Sequence, residues 1–182
     1  MSWVPARFEK QRDLNATPVV TRVLYEGPHG PATGEAQGGT SGLRKGQGVE
    51  TGRTTVSGPA VPGVEIQSDY GPKDFTLRRG IEGHLGNQEL LIVRPGFGLS
   101  PADRTVHFKL DDGRTWILIS SGFARCELRR GSAEGAPAFR ASSSPELASD
   151  ITPDEVALAV GCETLVTLYD LTKILGRLTE GL

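Results

Sequence analysis

Eight arginines fall in the middle of the chain among alternating apolar residues: Arg78, Arg79, Arg94, Arg104, Arg114, Arg125, Arg129 and Arg130. A guanidinium group is planar, always charged, and presents a fork of N–H donors that matches the oxygens of a phosphate or carboxylate. Several of them on one sheet face would hold an anion. In "FARCELRR" (123–130) Ala124, Cys126 and Leu128 share one face, while Arg125, Glu127 and Arg129 share the other. In "FTLRR" Phe75 and Leu77 take one side, and Thr76 and Arg78 the other. Arg78, Arg125 and Arg129 are therefore the candidate anion-binding residues. The plainer reading is the solvated face and guarded edges of a sheet. The neighbouring acids Glu89, Asp103 and Glu127 favour it, because both signs are interspersed.

Other reactive side chains are sparse. His29, His84 and His107 are the three histidines, and none belongs to an HExxH pattern or to a Cys/His pair at zinc spacing. No metal and no cofactor is expected, and no catalytic residue is assigned. His84 and His107 would be the first candidates for an enzyme whose site is scattered over loops. "GTSG" (39–42) does not match a nucleophile elbow. "GQGVETG" (46–52) resembles a phosphate loop but lacks the preceding strand and following helix that such a loop needs. Asp111 and Asp112 stand before Gly113, a hairpin-turn signature more than a catalytic pair. Cys126 and Cys162 sit in apolar patterns and read as buried free thiols.

The elements that must position these groups are mostly strands. "VVTRVLY" (19–25), "VEIQS" and "PAFRA" are strand-like, and "QELLIVR" (88–94), a nearly continuous apolar run, suits a strand covered on both faces. "RTVHFKL" (104–110) turns Val106, Phe108 and Leu110 inward, with His107 and Lys109 outward. "RTWILIS" (114–120) returns after the turn, apolar on both faces, and "FARCELRR" completes a meander. Seven to nine short strands are expected. Residues 27–63 hold 11 of the 24 glycines and 4 of the 12 prolines. That density predicts an extended N-terminal arm over 1–63 with one strand, followed by a β-rich domain over 64–182.

The chain closes on "ITPDEVALAVGCETLVTLYDLTKIL" (151–175). Thr152 can cap the free N–H groups, Pro153 suits the first helical position, and Glu155 can reach back to complete a capping box. No charge interrupts Val156 to Cys162, so a helix over about 152–178 should begin buried on every side. The fold expected is mainly β: an antiparallel barrel or sandwich of short strands with one buried C-terminal α-helix.

"GNQELLIVRPGFGLSP", "RTVHFKLDDGRTW" and "ITPDEVALAVGCETLV" together resemble the tubby C-terminal-like superfamily, which includes tubby, phospholipid scramblases and LURP-one-related proteins. The resemblance covers about 75–175. It implies a closed barrel of twelve strands threaded by a hydrophobic C-terminal helix. It also implies a non-enzymatic protein that binds anionic lipid headgroups.

Composition narrows the partner class. The 182 residues are 37% hydrophobic and 23% charged with a net charge of −2, so no global pull toward nucleic acid exists. No apolar leader and no uncharged run of about 18 residues is present, so a cytoplasmic chain without a transmembrane segment is expected. Two functions from different classes follow. The first is a binding or assembly module acting through protein–protein contacts, with a protein partner or self-assembly. The second is a binder of anions or phospholipid headgroups through the strand arginines. An enzyme with an unrecognised site is the third reading.

Overall fold

The computed structural model describes residues 2–13, 16, 20–37, 52–68, 80–93, 105–122, 125–142 and 144–164. The strands in chain order are β1 (Trp3–Pro5), β2 (Arg7–Asp13), β3 (Val20–Glu26), β4 (Ala32–Gln37), β5 (Gly52–Ser57), β6 (Val64–Ser68) and β7 (Ile81–Leu85). They continue as β8 (Gln88–Val93), β9 (Val106–Leu110), β10 (Thr115–Gly122), β11 (Arg125–Arg130), β12 (Pro137–Ala141) and β13 (Glu146–Ala148), followed by the helix α1 (Pro153–Thr164).

All thirteen strands belong to one antiparallel sheet, in which each strand from β2 to β13 lies beside its sequence neighbour. β1 lies at the far edge, against β13, with Trp3 opposite Ala148. β2 lies at the near edge, against β3, with Arg7 opposite Glu26. Since Ala6 alone separates β1 from β2, one stretch of chain joins both edges and nearly closes the sheet into a barrel. Counted as one interrupted strand, β1 and β2 bring the thirteen to twelve. A near-closed antiparallel barrel holding one C-terminal helix is the architecture that the tubby-like resemblance implies.

Alternation decides which residues enter the lumen. Leu90 and Ile92 stand opposite Leu110 and Phe108; on the next strand Trp116 lies opposite Phe108, and Leu118 opposite Val106. Tyr25, Val56, Ile66, Leu128 and Phe139 complete the lining, and α1 fills the space they enclose. Val156, Ala157, Ala159 and Val160 are 0% exposed and Leu158 is 2%, so the helix is covered on every side. Full burial of Val156, Leu158 and Val160 contributes roughly 1.5–3 kcal/mol each. The helix start is built as its sequence predicts. The Glu155 N–H donates to Thr152 Oγ1 at 3.3 Å, and the Thr152 N–H donates to Glu155 Oε2 at 3.0 Å.

Two expectations require correction. Residues 1–63 carry five strands, not one, and Val56 of β5 pairs with Val64 of β6 across the expected boundary. The glycines read as a tether include one that the packing demands. A Cβ on Gly34 would lie 2.1 Å from Thr164 Oγ1 and 2.9 Å from Val160 Cγ1, so β4 approaches α1 where a side chain has no room. The second concerns "QELLIVR", expected to be covered on both faces. Leu90 and Ile92 are buried, but Leu91 points outward at 37% exposure. "RTWILIS" does behave that way, since Ile117 faces outward and is still 6% exposed. The expected strand "FTLRR", part of the glycine-rich stretch (38–51), and the helix beyond Thr164 lie outside the described residues.

Candidate functional site

With the lumen occupied, the surfaces left for chemistry are the two barrel ends and the outer wall. At the end where the helix begins, Arg130 stands opposite Trp116, which places it on the inner side of β11, the face of Leu128. Its Nε donates to Glu155 Oε1 at 2.6 Å and its Nη2 to Glu155 Oε2 at 2.9 Å. Its Nη1 reaches Asp150 Oδ2 at 2.9 Å. Trp116 Nε1 donates to the same glutamate at 3.1 Å. Burial alone would raise the Glu155 carboxyl, but the donors from Arg130, Thr152 and Trp116 outweigh it and hold it below the usual carboxylate range. Beside it Arg114 pairs with Asp112 at 2.7 Å and also with Asp154. This end is a clamp on the helix, in which Glu155, Asp150, Asp154 and Asp112 each meet an arginine.

The β3–β4 turn folds over the same end. His29 adopts φ 68°, and its Nε2 lies 2.8 Å from the Ile151 carbonyl oxygen, so it is a strained contact on the segment feeding the helix. Tyr25 Oη donates to the Pro28 carbonyl at 2.9 Å, and burial raises its phenol to about 12.

The outer wall carries the candidate anion-binding residues. Arg78 lies outside the described residues, as do Arg79, Arg94 and Arg104. Arg125 opens β11 with its backbone opposite Gly122; its side chain is not described. Arg129 donates to Glu127 Oε2 from Nε at 3.0 Å and from Nη2 at 2.6 Å, and to the Ala133 carbonyl at 3.0 Å. Arg140 donates to the other oxygen of Glu127 at 3.0 Å and stacks over the Trp3 ring at 3.9 Å. Glu127 is 8% exposed, a buried acid between two guanidinium groups. Arg140 and Trp3 were not singled out from sequence. The cross-strand register of Glu127 with Arg140 is what joins them, and no local pattern reveals it.

The pairing extends around the barrel. Arg22 meets Glu35 at 2.7 Å, Arg53 meets Glu65 at 2.8 Å, and Arg7 lies 3.5 Å from Glu9. Each arginine whose side chain is described thus has a carboxylate of its own wall or helix within ion-pair distance. These outward charges also distinguish the wall from the apolar band of a membrane-spanning barrel.

His84 is exposed on β7, with Glu65 and Glu89 as its cross-strand neighbours. His107 is half-buried on β9; burial, and then the charge of Lys109, lower its pKa. Its Nε2 lies 3.1 Å from Thr105 Oγ1. Asp112 accepts the Arg114 backbone N–H at 2.9 Å, the turn chemistry expected of "DDG". Cys126 and Cys162 are free, and burial pushes both thiols up. Among the described residues no three His, Cys, Asp or Glu side chains are grouped to hold a metal ion, and no helix is long and apolar enough to cross a membrane.

Comparison of the chain with protein-family models, with curated proteins and with solved structures finds no match.

Proposed function

We propose that this chain is a non-enzymatic binding module of tubby-like architecture that engages protein partners through the outer wall of its barrel. One observation carries the reading: α1 occupies the lumen, with Val156–Val160 only 0–2% exposed, so a partner must be met outside it. The alternative, an anion or phospholipid-headgroup binder, would use Arg78, Arg125 and Arg129. Its support is the resemblance; against it, Arg129 already spends its donors on Glu127 and Ala133.

Native mass measurement of the chain, purified and drawn from cell extract, tests the proposal. A defined assembly with a protein is expected, and a single-chain mass under both conditions would overturn it. Co-sedimentation with vesicles rich in anionic lipid tests the alternative. Retention that rises with anionic lipid and falls with salt would favour the lipid reading.

A further inference from the structure

One part of the wall departs from the pairing found elsewhere. On the outer faces of β7, β8 and β9, Glu82, Leu91 and Lys109 stand in register, with Leu91 in the middle. Glu89 lies two positions back along β8 from Leu91, and the Asp111 N–H donates to its carbonyl at 3.3 Å. Glu82, His84, Glu89, Lys109 and Asp111 are all exposed. Leu91, at 37%, is the large apolar side chain exposed among the described residues. It leans over Gly80, where a Cβ would come within 2.6 Å of Leu91 Cδ1, and half-buried Val93 follows it on the same face.

The carboxylates here differ from those of the rest of the wall. Glu9, Glu26, Glu35, Glu65 and Glu127 each have an arginine within 4 Å. Among the described residues Glu82, Glu89 and Asp111 have none, and Lys109 pairs with no acid. An apolar centre rimmed by exposed polar groups is the anatomy of a protein interface. Unanswered charges, three acidic and one basic, set what can dock, because like charges brought together cost several kcal/mol.

We propose that this sheet face docks a protein segment carrying lysine or arginine side chains on either side of an apolar residue. The apolar residue lies on Leu91 and Val93, and the cations meet Glu82 and Glu89. Lys109, across the strand from Leu91, turns away a cation on its own side and so gives the docked segment a direction. The inference rests on the binding-module reading and names the face and the partner chemistry within it.

The test uses the full chain, isotopically labelled, with a short synthetic peptide of lysines and leucines and a glutamate–leucine counterpart as probes. Amide shifts on addition of the lysine peptide should cluster in 80–93 and 106–111. Affinity should fall by about tenfold or more in the pair Glu82→Lys and Glu89→Lys, and in Leu91→Ser, and should weaken with salt. Glu134→Lys, which alters an exposed carboxylate in the β11–β12 turn, should leave affinity unchanged. All these positions are exposed, so thermal melts should stay close to the parent. Shifts scattered around the barrel, equal binding of the two peptides, or indifference to the β7–β8 variants would overturn the assignment. So would anionic vesicles competing for the same residues. If native mass shows an assembly that the double variant leaves intact, this face is wrong and the binding-module reading stands. A single-chain mass throughout rejects both.

Discussion

At the N-terminal end of α1, Glu155 is 2% exposed and accepts from Arg130, Trp116 and the Thr152 backbone, which together hold its carboxyl below the usual range. About two turns further along the same helix, Glu163 receives no such donors among the described residues. Lys10 Nζ donates at 2.7 Å, but to the Glu163 backbone carbonyl, and burial raises the carboxyl, with the Lys10 charge opposing more weakly. The two residues share chemistry, helix and barrel. What separates them is whether the sheet opposite supplies donors, so burial is not itself the determinant of charge state. One end of the plug is locked by paired charge, and the other is held by packing and a single lysine.

The largest effect should come from placing a carboxylate between these two ends, where neither treatment exists. Leu158 is 2% exposed in the lumen, and Leu158→Asp would bury an unpaired charge at a cost of several kcal/mol. Loss of the cooperative thermal transition is expected. A soluble variant melting like the parent would show that the helix is not held inside the barrel.

Removing the charge at the locked end comes next. Glu155→Gln keeps the shape but leaves Arg130 with Asp150 as its remaining acid. Breaking a buried pair costs about 3–5 kcal/mol, and since the Arg130 side chain is 27% exposed, about 2–3 kcal/mol is expected in denaturant unfolding. Because the folded-state pKa of Glu155 is depressed, its contribution is present above the ordinary carboxylate range and fades as pH falls through the depressed value. The variant should therefore lose less at acid pH than at neutral pH. Equal loss at both would assign the effect to packing.

Two glycines extend the contrast from charge to space. Gly34 faces the far part of the helix, where an added Cβ would meet Thr164, itself 0% exposed and bonded to the Val160 carbonyl at 2.6 Å. Gly34→Ala should cost about 1–3 kcal/mol by overpacking. A Cβ on Gly161 meets Val56 Cγ2 at 3.7 Å, an ordinary contact. Gly161→Ala should therefore stabilise by up to about 1 kcal/mol, the helix propensity it restores. Shifts of the urea midpoint in opposite directions would bear this out, and two shifts of the same sign would not.

These glycines also mark how far the sequence could be read. Helix start, alternation and the β9–β11 meander were legible, because caps and periodicity act over a few residues. Of the first 63 residues only the strand at 19–25 was, and it forms β3. Composition cannot distinguish a glycine that loosens a linker from one that lets β4 touch a helix 130 residues later, as Gly34 does with Thr164. The partners of the arginines were hidden in the same way. A side chain's face follows from alternation, but its partner follows from register, and Glu127 lies between Arg129 and Arg140 through pairing that only the folded sheet creates. Arg130 went to the inner face, where the buried Glu155 receives it.

The smallest effect belongs to the end that packing holds. Glu163 has a raised folded-state pKa, so the folded chain binds its proton more tightly than the unfolded chain does. Stability then falls as pH rises from the ordinary carboxylate value through the raised one, where the burial of charge is felt in full. Glu163→Gln removes that charge. It should leave stability unchanged at low pH, where the acid is protonated in both states, and raise the melting temperature modestly at neutral pH. The pH profile of Glu163→Gln should thus diverge from the parent in the sense opposite to Glu155→Gln. If instead Glu163→Gln destabilised the domain at neutral pH, the carboxylate would have an ionic partner after all, and the two ends of the helix would be held by the same kind of force.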